Sequence, residues 1–341
     1  MRAMAQNVDW KNLGFKYMQT DSFVRADYSN GNWGDLKTYK DPVMPFHIAA
    51  TAFHYGQAAF EGLKAFSRKD GTIGIFRPLD NARRMINTAQ RLVMQAPNEE
   101  LFLEAVKTVV SNNREWVPPY GTGASLYIRP FLIGTSPHVG ISPSEEYAFI
   151  VLCMPVGPYY KNGFYPVKAM VQEKYDRAAP HGVGNVKAAG NYAAGMLGDI
   201  EGKNEGYPIC LYLDSAEHHY IDEFGTSNFF AITKDNVYVT PQSSSILPSI
   251  TNRSIQDMAQ DFGLKVENRL ISVDELESFV EVGACGTAAV ITPVYSIKYR
   301  DRTFTFGNEH EAGATVKRFF KEIQSIQYGE TDDRHGWIVT V

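Results

Sequence analysis

The 341-residue chain is 44% hydrophobic and 21% charged, a balance that suits one large or two ordinary folded domains and excludes disordered and fibrous classes. Its net charge of −5 comes from interspersed acids and bases, with no basic stripe to follow a phosphate backbone, so nucleic acid is not an expected partner. The longest apolar run, 148–156, is about half a bilayer span, the polar start lacks the apolar stretch of a leader, and the scattered Cys153, Cys210 and Cys285 suit a reducing compartment; cytoplasm is expected and a membrane is not.

In chain order, an aromatic and polar start leads to a Gly/Asn loop at 29–34. The stretch 45–64 is rich in aromatic and small residues and fits neither the helical nor the strand period. A strand-like reading resumes at 74–76. From Asn81, the residues Ala82, Met85, Ala89, Leu92 and Val93 recur at helical spacing, and Leu101, Ala105, Val106 and Val109 form one face of a second helix over 99–112. Segments 125–133 and 147–156 are apolar, partly β-branched and bounded by Gly, Ser and Pro, which predicts buried strands. Gly, Pro and Asn then cluster without periodicity, giving a first domain over 1–156, a connection at 157–166 and a second domain over 167–341. Beyond it the pattern predicts strands at 167–172, 209–213, 228–232 and 237–239, and a helix near 192–201 after a Gly/Ala-rich loop. Ile255, Met258, Ala259 and Phe262 mark another helix, and Val316, Phe319, Phe320 and Ile323 a last one. The whole is α+β in two parts, without internal repeats.

Four segments carry residue types suited to chemistry. In His181-Gly-Val-Gly-Asn-Val-Lys187-Ala-Ala-Gly-Asn-Tyr192 a lysine sits among small residues that leave room for a flat ligand. Desolvated there, its amine would lose charge and become a nucleophile toward an aldehyde, although any one of the 33 Lys and Arg is ordinarily a solvated surface group. Glu223 ends one strand before a Gly turn into the next; a protected carboxylate can hold a protonated pyridine nitrogen, and is as readily an ordinary turn acid. Ile246-Leu-Pro-Ser-Ile-Thr-Asn-Arg253 precedes a helix whose first N–H groups could cradle a phosphate, or Ser249 or Thr251 is simply its cap. Gly283-Ala-Cys-Gly-Thr287-Ala offers N–H groups and a hydroxyl to an anion, or is only a tight turn.

Tyr55 and Phe60 lie either side of Gly56, and Tyr127 and Arg129 share one strand face, where a buried guanidinium needs a partner. The eight histidines show no metal-ligand spacing, so no metal is expected. There is no Walker loop, and Gly182-Val-Gly184 lacks the third glycine of a dinucleotide fingerprint.

Taken in order, these segments resemble the branched-chain aminotransferases, within the fold type IV (D-amino-acid aminotransferase-like) enzymes that use pyridoxal 5′-phosphate. The matching pieces are Phe53-His-Tyr-Gly-Gln-Ala-Ala-Phe-Glu-Gly-Leu-Lys-Ala65, Leu126-Tyr-Ile-Arg-Pro130 with Ile133-Gly-Thr-Ser-Pro137, and Pro155-Val-Gly-Pro-Tyr159. They continue with Lys187-Ala-Ala-Gly-Asn-Tyr192, Glu223-Phe-Gly-Thr-Ser-Asn-Phe-Phe230, Leu247-Pro-Ser-Ile-Thr251 and Gly286-Thr-Ala-Ala289, in family order over nearly the whole chain. Tyr-Ile-Arg-Pro and Pro-Val-Gly-Pro-Tyr resemble the larger animal- and fungal-like subgroup.

The resemblance implies a two-domain α+β fold, a small α/β domain first and a large cofactor-binding domain from 167, with the cofactor at the domain interface. It implies a homodimer, in which Tyr55 reaches toward the neighbour's site. It also implies amino-group transfer between leucine, isoleucine or valine and 2-oxoglutarate, giving branched 2-oxo acids and L-glutamate. Residue by residue, Lys187 would carry the cofactor covalently and move the substrate's proton. Tyr192 would bond the cofactor's phenolic oxygen and Glu223 its ring nitrogen, with Thr226 close by. Arg84, rather than Arg83, would hold the phosphate together with the N–H groups of Ile250 and Thr251 and with Thr287. Thr287 and Ala288 would receive the substrate carboxylate through the backbone. Phe15, Tyr55, Phe60 and Tyr127 would wall an apolar pocket, and Arg129 would receive the side-chain carboxylate of glutamate. A largely apolar pocket with one charged group at its edge is a sensible answer to substrates so different.

Three departures stand out. Ser249-Ile-Thr-Asn252 replaces the family's usual phosphate-loop arginine with Asn252, a change that leaves the backbone N–H groups in place. The Cys-x-x-Cys of animal members is absent after Thr287, so no thiol switch is expected there. Alanines follow Lys187 where glycine is commoner. The rival readings are a D-amino-acid aminotransferase or an aminodeoxychorismate lyase, both disfavoured by the long first half and Tyr127-Ile-Arg129, and a non-catalytic small-molecule binder with a solvated Lys187.

Overall fold

The computed structural model describes Ala5 and residues 8–158 and 163–341. The chain forms two units: one comprises 1–161, 186–190 and 325–341, the other 162–185 and 191–324. The first unit thus also takes in 186–190 and 325–341, which lie beyond the expected connection at 157–166. Tyr159 and the rest of 159–162, within the expected connection, lie outside the described residues.

The first unit contains strands β1 (Phe23–Ser29), β2 (Asn32–Trp33) and β3 (Lys37–Tyr39), the short helix α1 (Thr51–Tyr55), and strands β4 (Ala58–Phe60), β5 (Leu63–Ser67) and β6 (Ile73–Phe76). Helices α2 (Pro78–Arg91) and α3 (Glu99–Asn112) follow, then the long strands β7 (Ser125–Gly134) and β8 (Tyr147–Val156). The elements of 45–64 show no period in the sequence because each is too short to complete one. Helix α2 begins earlier than its apolar spacing suggests, since Pro78 suits a first turn that needs no N–H partner. Asn98 caps α3 by accepting from the Leu101 N–H.

A strand from the far end of the chain, β18 (Ile338–Thr340), completes the sheet, whose order is β18-β6-β5-β7-β8-β1-β2, with β3 beside β1 and β4 beside β7. The strand alternation sorts the two faces. Leu63, Ala65, Leu126, Ile128, Phe149 and Val151 pack against α2 and α3 in the main core. Tyr127, Met154 and Val156 lie on the other face with Phe15.

The second unit runs β9 (Val167–Val171), α4 (Ala189–Asn204), β10 (Ile209–Leu213), β11 (Ile221–Phe224), β12 (Ser227–Thr233), β13 (Val237–Pro241), α5 (Ile250–Asp261), β14 (Lys265–Arg269), β15 (Phe279–Gly286), β16 (Val290–Tyr299) and β17 (Arg302–Thr305); helix α6 (Ala314–Tyr328) leads back to the first. Its sheet, β11-β10-β9-β16-β15-β12-β13-β14, curls until β11 also pairs with β12. Leu211, Phe224, Phe229, Ala284, Val294 and Ile297 fill its core. The antiparallel registers bring the end of β11, the start of β12, the β15–β16 turn and the end of β13 to one end of the sheet.

Candidate active site

In the first unit the residues gather around Lys187. Its carbonyl accepts from the Phe60 N–H at 3.2 Å and its N–H donates to Thr88 Oγ1 at 3.0 Å, so β4 and α2 fix its backbone from two sides. Its neighbour Ala188 is buried and bridges to Ala59, which accommodates alanine after the lysine. The Lys187 amine lies 4.8 Å from the centre of the Phe60 ring. The residue keeps some exposed surface, but its amine is deep enough that burial, helped by the positive charge of Arg84, lowers its pKa to about 8.

Arg84 grips Glu61 with two hydrogen bonds, Nε to Oε1 at 2.8 Å and Nη2 to Oε2 at 2.7 Å, and Asn81 adds a third to Oε2 at 2.7 Å. Glu61 has no exposed surface, so this pairing removes the cost of an unpaired buried charge. Arg83 instead points to solvent and pairs with Glu99. Arg129 donates to the Tyr127 hydroxyl at 2.9 Å and stacks over Phe60 at 4.8 Å. Phe15 meets Tyr127 edge-on, with ring centres 5.3 Å apart. Gly62 is required where it stands, because a β-carbon there would collide with the Tyr127 hydroxyl. Tyr55 lies on the exposed side of this unit, stacked on His54 and donating to the Val139 carbonyl.

In the second unit the residues gather at the end of the sheet defined by the β11–β12 turn. Glu223 is only 3% exposed. Arg177 Nη2 lies 2.7 Å from its Oε1, and the Leu247 N–H donates to the same oxygen at 3.0 Å. Asn228, paired with Glu223 across the turn, donates to the Leu247 carbonyl and holds the approach to α5. Ser249 caps α5 by accepting from the Asn252 N–H at 3.1 Å, and Ile250 and Thr251 form its buried first turn. Thr226 stands in the β11–β12 turn, and Gly286 packs against Thr226 and Ser227, which places Thr287 and Ala288 beside that turn. Val290, which closes the β15–β16 turn, has φ of 65°, a costly conformation for a β-branched residue. Tyr192 sits half-buried in the first turn of α4.

A model of the amino-transferase class IV family matches residues 58–297. A branched-chain-amino-acid aminotransferase from Haemophilus influenzae is 45% identical over 98% of this chain and 99% of its own. The chain belongs to the class IV aminotransferases, in the branched-chain-amino-acid group. Solved structures agree. The branched-chain amino acid aminotransferase of Escherichia coli superposes with a TM-score of 0.79 at 28% identity, covering 94% of this chain and 98% of that one. The T.th. branched-chain amino acid aminotransferase, solved with pyridoxamine 5′-phosphate, gives 0.80 at 25% identity over 95% and 99%.

Within this aminotransferase the phosphate-loop departure has a structural answer. Asn252 Oδ1 accepts from the Tyr238 hydroxyl at 2.6 Å, and its Nδ2 donates to Thr240 Oγ1 at 2.8 Å, which donates on to the Phe229 carbonyl. The asparagine is thus buried and ties the start of α5 to β13. Cys153, Cys210 and Cys285 are all free and buried. Among the described residues no group of His, Cys, Asp or Glu could hold a metal, and no helix is long and apolar enough to cross a membrane.

Reading the sequence alone missed Glu61, Lys64, Asn81 and Arg177. Glu61 and Lys64 were visible as charges within the apolar run Phe60–Ala65, where burial is hard to avoid. Lys64 is indeed buried, and burial lowers its pKa to about 8. Arg177 left no such trace, because its partner lies 46 residues away (223 − 177).

Proposed function

We infer that this aminotransferase uses pyridoxal 5′-phosphate to pass the amino group of leucine, isoleucine or valine to 2-oxoglutarate, giving branched 2-oxo acids and L-glutamate. The observation that carries the reading is Lys187, an amine clamped by its own backbone and brought by burial to a pKa of about 8. At neutral pH roughly a tenth of such amines are uncharged, against fewer than about one in a thousand for an ordinary lysine. Each unit carries residues that suit part of the cofactor: in the first, a near-neutral amine for its aldehyde and Arg84 for its phosphate; in the second, the first N–H groups of α5 for a phosphate and the buried Glu223 carboxylate for a ring nitrogen.

Bound pyridoxal phosphate supplies an aldehyde that reacts with amines and a ring that draws electron density from the substrate's α-carbon. Lys187 would hold the cofactor through its amine and would serve as the base that takes up and returns the proton of the substrate Cα. Glu223 would hold the protonated ring nitrogen, and Tyr192 would bond the phenolic oxygen. Thr226 and Thr287 add contacts to the cofactor. The N–H groups around Thr287 and Ala288 take the substrate carboxylate. Phe15, Phe60 and Tyr127 would line the side-chain pocket, Tyr55 would reach toward the neighbouring copy's pocket, and Arg129 would receive the distal carboxylate of glutamate.

We also propose a cytoplasmic homodimer. Ile48, Phe53, Val139 and Ile141 are exposed and lie on segments joined by the Ala50–Pro137 bridge, an apolar surface suited to a second copy. The test of function is a panel of L-amino acids with 2-oxoglutarate, in which the 2-oxo acid products are identified. Leucine, isoleucine and valine should give product, while D-alanine and aminodeoxychorismate should not. Protein that takes up no pyridoxal phosphate and shows no near-ultraviolet to violet band would overturn the reading.

A further inference from the structure

We propose that Arg177 is a positioning residue for Glu223: it keeps that carboxylate ionised and fixed, and ties to it the loops that lead to Lys187 and to α5. The inference rests on the assignment of Glu223 to the cofactor's ring nitrogen.

A carboxylate as buried as Glu223 would take up a proton if no positive charge faced it. A neutral acid cannot stabilise a charged ring nitrogen, so the assigned role needs a permanent cation close by. Arg177 meets that need, since a guanidinium stays charged at any working pH. Its Nη2 is 2.7 Å from Glu223 Oε1, and both side chains are less than a tenth exposed. The Leu247 N–H donates to the same oxygen at 3.0 Å, so that oxygen is held from two sides.

The same guanidinium reaches further. Its Nη2 also meets the Ser245 carbonyl, in the loop before α5, and the Gly184 carbonyl at 3.4 Å, three residues before Lys187 in the chain. Gly184 is held to glycine by this packing. A β-carbon there would strike the Ser245 carbonyl and Ala178, and come within 2.9 Å of Arg177 Nη2. The glycine that looked like half a dinucleotide motif thus makes room for an arginine. One guanidinium donor, Nε, is buried without a hydrogen-bond partner among the described residues. A side chain placed only for stability would seldom leave a donor so.

Asp222, Tyr212 and Cys285, which lie near the pair, are acids and cannot supply a positive charge. Asp222 and Tyr212 feel the field of Arg177, but burial raises the pKa of both, and Cys285, which faces Glu223, is raised too. Asp222 therefore competes poorly for the guanidinium.

The experiment compares wild type, R177K, R177M, E223Q and R177M/E223Q as holoenzymes. It reads kcat, the ring-nitrogen shift of bound ¹⁵N-labelled pyridoxal phosphate, and the cofactor's dissociation constant. R177M should lower kcat roughly 10- to 100-fold, as loss of the partner that orients a functional group does, and move the ¹⁵N resonance toward the unprotonated position. R177K, which keeps the charge, should return most of that shift. In the E223Q background, R177M should change kcat by less than about threefold, because the two residues act as a unit. Equal losses in both backgrounds with an unmoved resonance would overturn the proposal, as would an R177K enzyme with the wild-type kcat and an R177M resonance unmoved from wild type. If E223Q itself left turnover and resonance unchanged, the Glu223 assignment would be what had failed, and the proposal would fall with it.

Discussion

The two units bury an arginine–carboxylate pair in opposite senses. In the first, Glu61 has no exposed surface and both its oxygens are engaged, by Arg84 and Asn81, so the acid serves to aim the cation. In the second, Arg177 and the Leu247 N–H converge on one oxygen of Glu223, so the cation serves to aim the acid. What differs is how each pair is anchored: Asn81 adds a bond to Glu61, whereas Arg177 also reaches the Ser245 and Gly184 carbonyls. Such pairs add little net stability against an apolar replacement, yet losing one member strands the other.

The comparison breaks first at the lysine. Replacing Lys187 by alanine should reduce transamination on the order of 10³-fold or more and abolish the violet band, as measured by steady-state assay and absorbance. Survival of either would detach the first unit's cluster from catalysis. Glu223→Gln should cost somewhat less, roughly 10²-fold in kcat, while the cofactor stays bound, as gel filtration with absorbance detection would show. Glu61→Gln tests the opposite pair. Here the main loss should be stability, about 3 kcal/mol by urea unfolding, because Arg84 is left buried and poorly paired. If Glu61→Gln instead left stability intact and lowered kcat as much as Glu223→Gln, the contrast between the pairs would be wrong. Asn252→Ala should cost about 1 to 2 kcal/mol, by opening the hydrogen bonds to Tyr238 and Thr240.

The smallest expected effect is a pH dependence. Lys187 and Lys64 both have folded-state pKa values of about 8, below the ordinary 10.5. Between about 8 and 10.5 the unfolded chain binds more protons at these sites, so they make the cofactor-free protein more stable as pH rises through that window. The urea midpoint should show this gain, and Lys187→Met should shrink it.

Much of this was legible in the sequence. The helices α2, α3 and α5 announce themselves by period, and the strands β7 and β8 by their continuous apolar runs, because each is buried on one face or both over many residues. Strands β14 and β17 escaped notice because they are short and carry few apolar residues; β15 and β16 were missed although they are largely apolar and mostly buried. The elements of 45–64 were too short to show a period. Among the site residues, Lys187 drew notice by its small neighbours and Glu223 by its turn. The partners that set their charge were not visible, for an ion pair across 46 residues, such as Arg177 with Glu223, leaves no mark on local composition. Asn252 read as a loss in the sequence and proves to be a cross-link in the fold.

The strand β18 carries a last consequence. It zips onto β6, and the Trp337 carbonyl accepts from the Arg77 N–H at the start of α2, yet these residues follow the whole second unit in the chain. On the ribosome, the sheet that houses the lysine would therefore wait with one edge unpaired while the second unit is made. An open edge of that kind is where nascent chains stick to one another. The order in which the polypeptide emerges thus lets β6 gain its outer partner only after the whole second unit has been made.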